Sequence, residues 1–261
     1  MRWWYVLPLL LVALLLAGCT GTQEVKPSET PTEKVSEVKP TVTPYERPEI
    51  RTAEEAWNEL MKGNERFVNG ERAPRNLTAE RIENLAGQHP FATVITCSDS
   101  RVCPEIIFDQ GIGDIFVIRT AGNVVEPVVL GSIEYGVEHL HTPILVVLGH
   151  QSCGAVTATV QAVTSGEECK EGNICSIIEE IKPAVEEAEK TGKTGKELIE
   201  EAVNENVKLV TKKILQNSNV TRELVEKGEL VIIGAKYYFD TGKVVKLFEV
   251  NKDNLEEFLS E

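Results

Sequence analysis

The sequence predicts an α/β protein, a mostly parallel sheet covered by helices on both faces. Three observations lead there. Residues 91–96, 114–119, 143–148 and 230–235 are runs of strand length, β-branched and apolar almost without a break, as strands buried on both sides must be. Segments with apolar residues at helical spacing separate them, and strands alternating with helices imply parallel crossovers. The whole chain of 261 residues is 42% hydrophobic and 26% charged, ordinary globular usage that excludes a disordered, collagenous or coiled-coil protein.

In chain order, the N-terminus comes first. Arg2 precedes an apolar run over residues 3–17 that ends Leu16-Ala17-Gly18-Cys19. A charged start, a short apolar core and small residues before a cut read as a secretory signal, and the run is shorter than the ~20 residues a comfortable membrane span needs. The Leu-Ala-Gly-Cys ending resembles a lipobox, which makes Cys19 the lipidated mature N-terminus; an uncleaved signal anchor is the alternative. From residue 20 to about 50 the composition turns to Thr, Pro, Glu, Lys and Val, with prolines at 27, 31, 40, 44 and 48. Such a stretch buries too little apolar surface to offset the ordering of its backbone. The expected division is a signal peptide over 1–18, a lipid-anchored disordered tether over 19–50 and one domain over 51–261.

Within the domain, residues 53–68 carry helical periodicity, with Thr52 as N-cap and Glu55 completing a capping box. The four strands follow, with helices expected at 129–140, 155–163 and twice between 177 and 216. Residues 243–250 alternate more loosely, as an edge strand does. No internal repeat is present. The formal net charge of −14 removes the counterion-release gain that drives general nucleic-acid binding and disfavours docking on anionic lipid. A small neutral or metal-assisted substrate remains open.

In parallel sheets ligands gather at strand C-terminal ends, beside the point where strand order reverses. Cys97 follows the first strand. His150 follows the third, after Gly149, and Cys153 opens the next helix. If strands one and three are neighbours, the three side chains meet in one crevice. Two thiolates and one imidazole with a fourth position open form a catalytic zinc (Zn²⁺) set rather than a structural one, and the helix start after Cys153 favours its thiolate. Buried small hydrophobes or a disulfide are the bland alternative.

Cys97-Ser98-Asp99-Ser100-Arg101 together with His150-Gln151-Ser152-Cys153-Gly154 resembles the β-class carbonic anhydrases. The resemblance extends over most of residues 52–250. It includes Gly63-Asn64-Glu65-Arg66-Phe67, the stretch from Pro104 to Gly111, Arg119-Thr120-Ala121-Gly122-Asn123 and Glu134-Tyr135-Gly136. It implies a four-stranded parallel core of order 2-1-3-4 extended by a further strand, an obligate dimer, and an N-terminal helical arm that wraps the partner. The implied reaction is zinc-dependent hydration of carbon dioxide to bicarbonate and a proton. Asp99 accepts a hydrogen bond from the attacking water, and Arg101 clamps Asp99 and keeps it ionised; without that clamp Asp99 becomes a fourth zinc ligand in a closed state. Gln88, nine residues before Cys97, resembles the substrate-binding glutamine of the plant-like subgroup. Phe116 and Tyr135 match the pocket's aromatic wall, Tyr135 from the dimer partner. The subgroup with a second bicarbonate site has Trp three residues before the first zinc Cys; Val94 stands there, so the open form is expected.

Cys169 and Cys175, close together in a polar segment, form a local disulfide in an oxidising exterior or remain two free thiols. Cys103 is expected to be a packed free thiol. His89, His139 and His141 lack paired ligand spacing and are expected at the surface, with His89 a candidate proton shuttle. Asn76-Leu77-Thr78 and Asn219-Val220-Thr221 are glycosylation sequons by pattern alone. Two other functions compete: hydrolysis of carbon disulfide or carbonyl sulfide on the same fold, and non-enzymatic zinc binding by a surface lipoprotein.

Overall fold

The computed structural model describes residues 45–166, 168–170 and 172–260. The expected signal peptide, Cys19 and the tether up to residue 44 lie outside the described residues. The elements run α1 (Ala53–Asn69), α2 (Ala79–Glu83), β1 (Ala92–Cys97), α3 (Pro104–Ile107), β2 (Ile115–Thr120), a 3₁₀ turn (Ala121–Asn123) and α4 (Pro127–Glu134), which continues into a π-helical turn (Tyr135–His139). After these come β3 (Ile144–His150), α5 (Gly154–Ser165), α6 (Ile174–Glu189), α7 (Gly195–Asn217), α8 (Asn219–Lys227), β4 (Val231–Tyr237), β5 (Val244–Val250) and α9 (Leu255–Ser260).

The sheet order is β2-β1-β3-β4-β5; the first four strands are parallel and β5 pairs antiparallel to β4. The chain leaves β1 outward to β2 and then returns to place β3 on the other side, so the order reverses between β1 and β3. That is the juxtaposition the ligand spacing required. Every residue of β1 and β3 is buried, which explains their unbroken apolar runs. Val94, Val146 and Leu148 pack with Leu60 of α1 and Ile107 of α3 on one face. Ile95, Leu145 and Val147 pack with Ile133 of α4 and Val207 and Ile214 of α7 on the other. Each fully buried side chain of this kind contributes about 1.5–3 kcal/mol.

The capping box at α1 is present: Thr52 Oγ1 accepts from Glu55 N–H, and the Glu55 carboxylate takes the N–H of Thr52. Gly63 is a contact point, since a Cβ there would lie 1.7 Å from Phe108 O. Beside it Asn64 donates to Ile107 O and Gly242 O and accepts from Val244 N–H at 2.9 Å. Gly63 and Asn64 thus fasten α1 to the end of α3, and Asn64 also ties it to the β4–β5 turn.

Several boundaries differ from expectation. β3 runs two residues past 148 because Gly149 and His150 pair in register with Lys236 and Tyr237. The helix expected over 129–140 starts at Pro127 and ends in the π turn. Helices α2, α3, α8 and α9 were not expected; the longest has nine residues, too few for apolar spacing to stand out. Residues 45–50 fall in the expected tether, yet Tyr45 N–H donates to Pro74 O at 2.7 Å and its hydroxyl to Glu59 at 2.9 Å. Arg66 and Arg75 lie over its ring. Among the described residues no helix is long and apolar enough to cross a membrane. A disulfide joins Cys169, in the α5–α6 connection, to Cys175 in the first turn of α6.

Candidate metal centre

Cys97 ends β1, His150 ends β3, and Cys153 is the N-cap of α5. Their ligand atoms all lie within 4.8 Å of one another, and all three residues are buried. Neighbouring strands deliver the first two, and the two-residue turn through Gln151 and Ser152 delivers the third. Ser152 takes φ 53°, a left-handed conformation uncommon for a residue with a side chain. Its N–H donates to Glu200 of α7 at 2.9 Å, and Glu200 pairs with the buried Lys236 of β4 at 2.7 Å.

The donor set fits zinc. His150 Nδ1 lies 3.0 Å from Gln151 O, which leaves Nε2 as the free nitrogen. That Nε2 is buried and, among the described residues, has no hydrogen-bond partner. A buried imidazole nitrogen without a partner beside two thiols is the mark of a ligand, and backbone support at its other nitrogen fixes the ring. Two thiolates and one imidazole match zinc with a further position open.

The helix start did not decide which thiol ionises first. The Cys97 thiol is pushed down to about 4, first by the hydrogen bond from Cys153, then by His150 and the N–H groups of Asp99 and Gly122, against the opposing effect of burial. The Gly122 N–H lies 3.3 Å from its sulfur. The Cys153 thiol is pushed up by facing that thiolate and by burial; the N–H groups of Val156 and Ala155 at the start of α5 pull the other way and lose.

Asp99 and Arg101 form the expected pair. Arg101 Nε donates to Oδ1 at 3.0 Å, Nη2 to Oδ2 at 2.8 Å, and the Arg101 N–H to Oδ1 at 3.0 Å. These bonds hold the Asp99 carboxyl well below the usual carboxylate range. Arg119, near the end of β2, donates to the carbonyl oxygens of Cys97 at 3.2 Å and Asp99 at 2.7 Å, which fixes the backbone on which ligand and dyad sit.

Of the three expected pocket residues, Phe116 stands apart from the metal ligands in its own chain, and Tyr135 is beside it. Gln88 is exposed in the segment before β1. The β1–β2 register sets Phe116 opposite Thr93, while Cys97 lies opposite Thr120; four residues of strand separate them, about 13 Å. Phe116 instead meets the Tyr135 ring at 6.0 Å. His89, His139 and His141 are exposed, and Cys103 is half-buried and free. Several contributors escaped sequence reasoning. Arg119, Gly122 and Gln151 lay within quoted motifs but with no role; Glu200 gave no signal of its own.

Residues 92–244 match the family model described as carbonic anhydrase. Carbonic anhydrase 2 of Mycobacterium tuberculosis is 42% identical over 192 residues, spanning 73% of this chain and 90% of that protein. The carbonic anhydrase of Mycolicibacterium smegmatis is 41% identical over 190 residues, 72% of this chain and 90% of that one. Among solved structures, the β-carbonic anhydrase CcaA has a TM-score of 0.60 at 26% identity and covers 77% of this chain and 97% of its own. The β-carbonic anhydrase CafA of Aspergillus fumigatus has a TM-score of 0.59 at 28% identity, covering 69% of this chain and 85% of its own.

Proposed function

The chain belongs to the β-carbonic anhydrases, and on that premise we propose that it catalyses the reversible hydration of carbon dioxide to bicarbonate and a proton outside the cytoplasmic membrane. One observation carries the reaction: the buried Cys97–His150–Cys153 cluster stands at the ends of β1 and β3 with the Asp99–Arg101 pair on the loop that leaves Cys97. Zinc held by those three residues supplies the Lewis acidity that makes water nucleophilic near neutral pH. The chain's own part is orientation. Asp99, held ionised by Arg101, can only accept, so it accepts a hydrogen bond from the attacking water and thereby aims that water's lone pair at carbon. The three bonds from Arg101 restrain the carboxylate from competing for the open metal position. Arg119 keeps the loop backbone from following any movement of the dyad.

Gln88, Phe116 and Tyr135 form the substrate pocket in this reading, with Tyr135 supplied by a second copy of the chain. The support is the separation of Phe116, with Tyr135 beside it, from the metal ligands within one chain, and the exposure of Gln88, of Tyr135 and of Val128 on α4. An apolar wall suits carbon dioxide, which offers little to hydrogen-bond. Export and anchoring through Cys19 rest on the Leu16-Ala17-Gly18-Cys19 ending and the polar tether. The Cys169–Cys175 disulfide supports an oxidising exterior.

Stopped-flow hydration of carbon dioxide tests the reaction, on protein as purified, after chelation, and after zinc is restored. Activity should vanish on chelation and return with zinc. Zinc-loaded protein no faster than buffer would overturn the proposal.

A further inference from the structure

We propose that Phe239, in the turn between β4 and β5, is a positioning residue for the Asp99–Arg101 pair: its ring seats the Arg101 guanidinium and at the same time meets the imidazole of His150. The guanidinium carbon lies 4.2 Å from the Phe239 ring centroid, and the ring lies 5.1 Å from the His150 ring. A metal ligand and the dyad arginine therefore share one aromatic neighbour. The inference rests on the hydration reading only for its kinetic consequence.

Arg101 needs such a seat. Its side chain is 62% exposed, whereas that of Asp99 is 17% exposed. The two bonds to Asp99 set a distance but leave a long side chain open to competition from water. A cation within about 6 Å of a ring centroid is held by the ring's electron-rich face, and guanidinium planes stack well there. The ring thus backs the guanidinium and narrows the orientations from which Arg101 grips Asp99.

Phe239 is itself held from the metal loop. Its N–H donates to Gln151 Oε1 at 2.8 Å, and the Asp240 N–H reaches the same oxygen at 3.3 Å. Gln151 N–H in turn donates to Tyr237 O at 2.8 Å. Tyr237 packs edge-on against the Phe239 ring, centroids 5.5 Å apart. Across the turn, Asn64 takes the backbone of Gly242 and Val244. Because Gln151 stands between His150 and Cys153, these bonds tie the turn that carries Phe239 to the loop that carries two ligands.

The test compares Phe239→Leu, which keeps apolar bulk without a ring face, with Phe239→Tyr, which keeps the face. In Phe239→Leu, kcat/KM for carbon dioxide should fall about two- to five-fold, the rate equivalent of an exposed cation–π contact. Phe239→Tyr should retain it. In an Arg101→Met background, Phe239→Leu should change nothing further, since the ring acts through Arg101. Zinc release to a chelator should be the same in wild type and Phe239→Leu. A readout independent of activity is the NMR shift of the Arg101 side-chain protons. Ring current should move them upfield in wild type and Phe239→Tyr, and the shift should disappear in Phe239→Leu.

Unchanged kcat/KM in Phe239→Leu, equal losses in Leu and Tyr variants, or a full further loss in the Arg101→Met background would each overturn the proposal. Faster zinc release in Phe239→Leu would assign the ring's effect to His150 and overturn it too. Wild-type protein with no hydration activity would sink the function reading instead, and the Arg101 proton shifts would still decide the role of Phe239.

Discussion

Gln151 and Ser152 have three tasks between His150 and Cys153: to support the imidazole, to receive the β4–β5 turn, and to reverse the chain. Gln151 O meets His150 Nδ1, its side chain takes the turn, and Ser152 reverses the chain at φ 53° with Glu200 bracing its N–H. A ligand set held this closely should depend on each donor. Cys153→Ser replaces a thiolate by a hydroxyl that stays protonated, so zinc per subunit should fall steeply. Metal analysis after dialysis checks it, and full retention would remove Cys153 from the ligand set. The dyad should behave oppositely. Asp99→Ala and Arg101→Ala should keep their zinc and lose hydration activity by about 10²–10³-fold, the scale of removing one oriented hydrogen bond from a transition state. Near-normal turnover in both would refute the orienting role. The order in which the thiols ionise was not legible from the sequence. The helix start at Cys153 is a local feature, whereas much of what favours the Cys97 thiolate comes from other segments, the loop of His150 and Cys153 and the N–H of Gly122.

At the scale of elements, α1 is clasped to the α3–β2 connection through charge as well as packing. Arg66 donates to Asp109 Oδ2 at 2.6 Å, Arg72 to Oδ1 at 3.1 Å, and the Ala73 N–H to Oδ2 at 3.0 Å. Burial pushes the Asp109 carboxyl up, but these three donors outweigh it and the net shift is downward. Asp109 sits at φ 46°, a conformation asparagine also tolerates, so Asp109→Asn removes the charge with little backbone penalty. The substitution removes the charge that two partly exposed arginines share and should cost roughly 1–3 kcal/mol, the scale of losing charge-assisted hydrogen bonds at a buried group. The sign of the pH effect follows from the lowered value. The contribution is fully present above the unfolded carboxyl value of about 3.9 and is lost as pH falls through the lower folded value. Urea unfolding between neutral and acid pH should show a shallower acid limb for Asp109→Asn. A wild-type limb in the variant would mean that Asp109 contributes nothing to acid sensitivity.

For the whole molecule, the separation of Phe116 and Tyr135 from their own chain's metal ligands predicts self-association. Sedimentation of the protein from residue 45 onward should give at least a dimer. A monomer fully active at nanomolar concentration would contradict a pocket shared between copies. Place in the cell is testable separately. The native chain should fractionate with membranes and release with detergent. Cys19→Ala should lose that partitioning, because attachment in this reading is through lipid on its sulfur. Native protein soluble in the cytoplasm with Met1 retained would end the lipoprotein proposal.

By itself the sequence determined what is local. Strand identity came from unbroken β-branched runs, α1 from its periodicity and capping box, and the metal ligands and dyad from residues a few positions apart at strand ends. The strand order was legible because Cys97 and His150 make a zinc site only if β1 and β3 are neighbours, which the resemblance also implied. The tertiary structure decided what depends on contacts between distant segments. Asn64 meets Val244 across 180 residues of chain, Glu200 meets Ser152 across 48, and Arg66 meets Asp109 across 43. The Phe239 seat for Arg101 is of the same kind. A side chain's spacing along the sequence states which face of its own helix or strand it occupies. Which partner faces it is set by how those elements pack, and packing is a property of the assembled sheet and its layers.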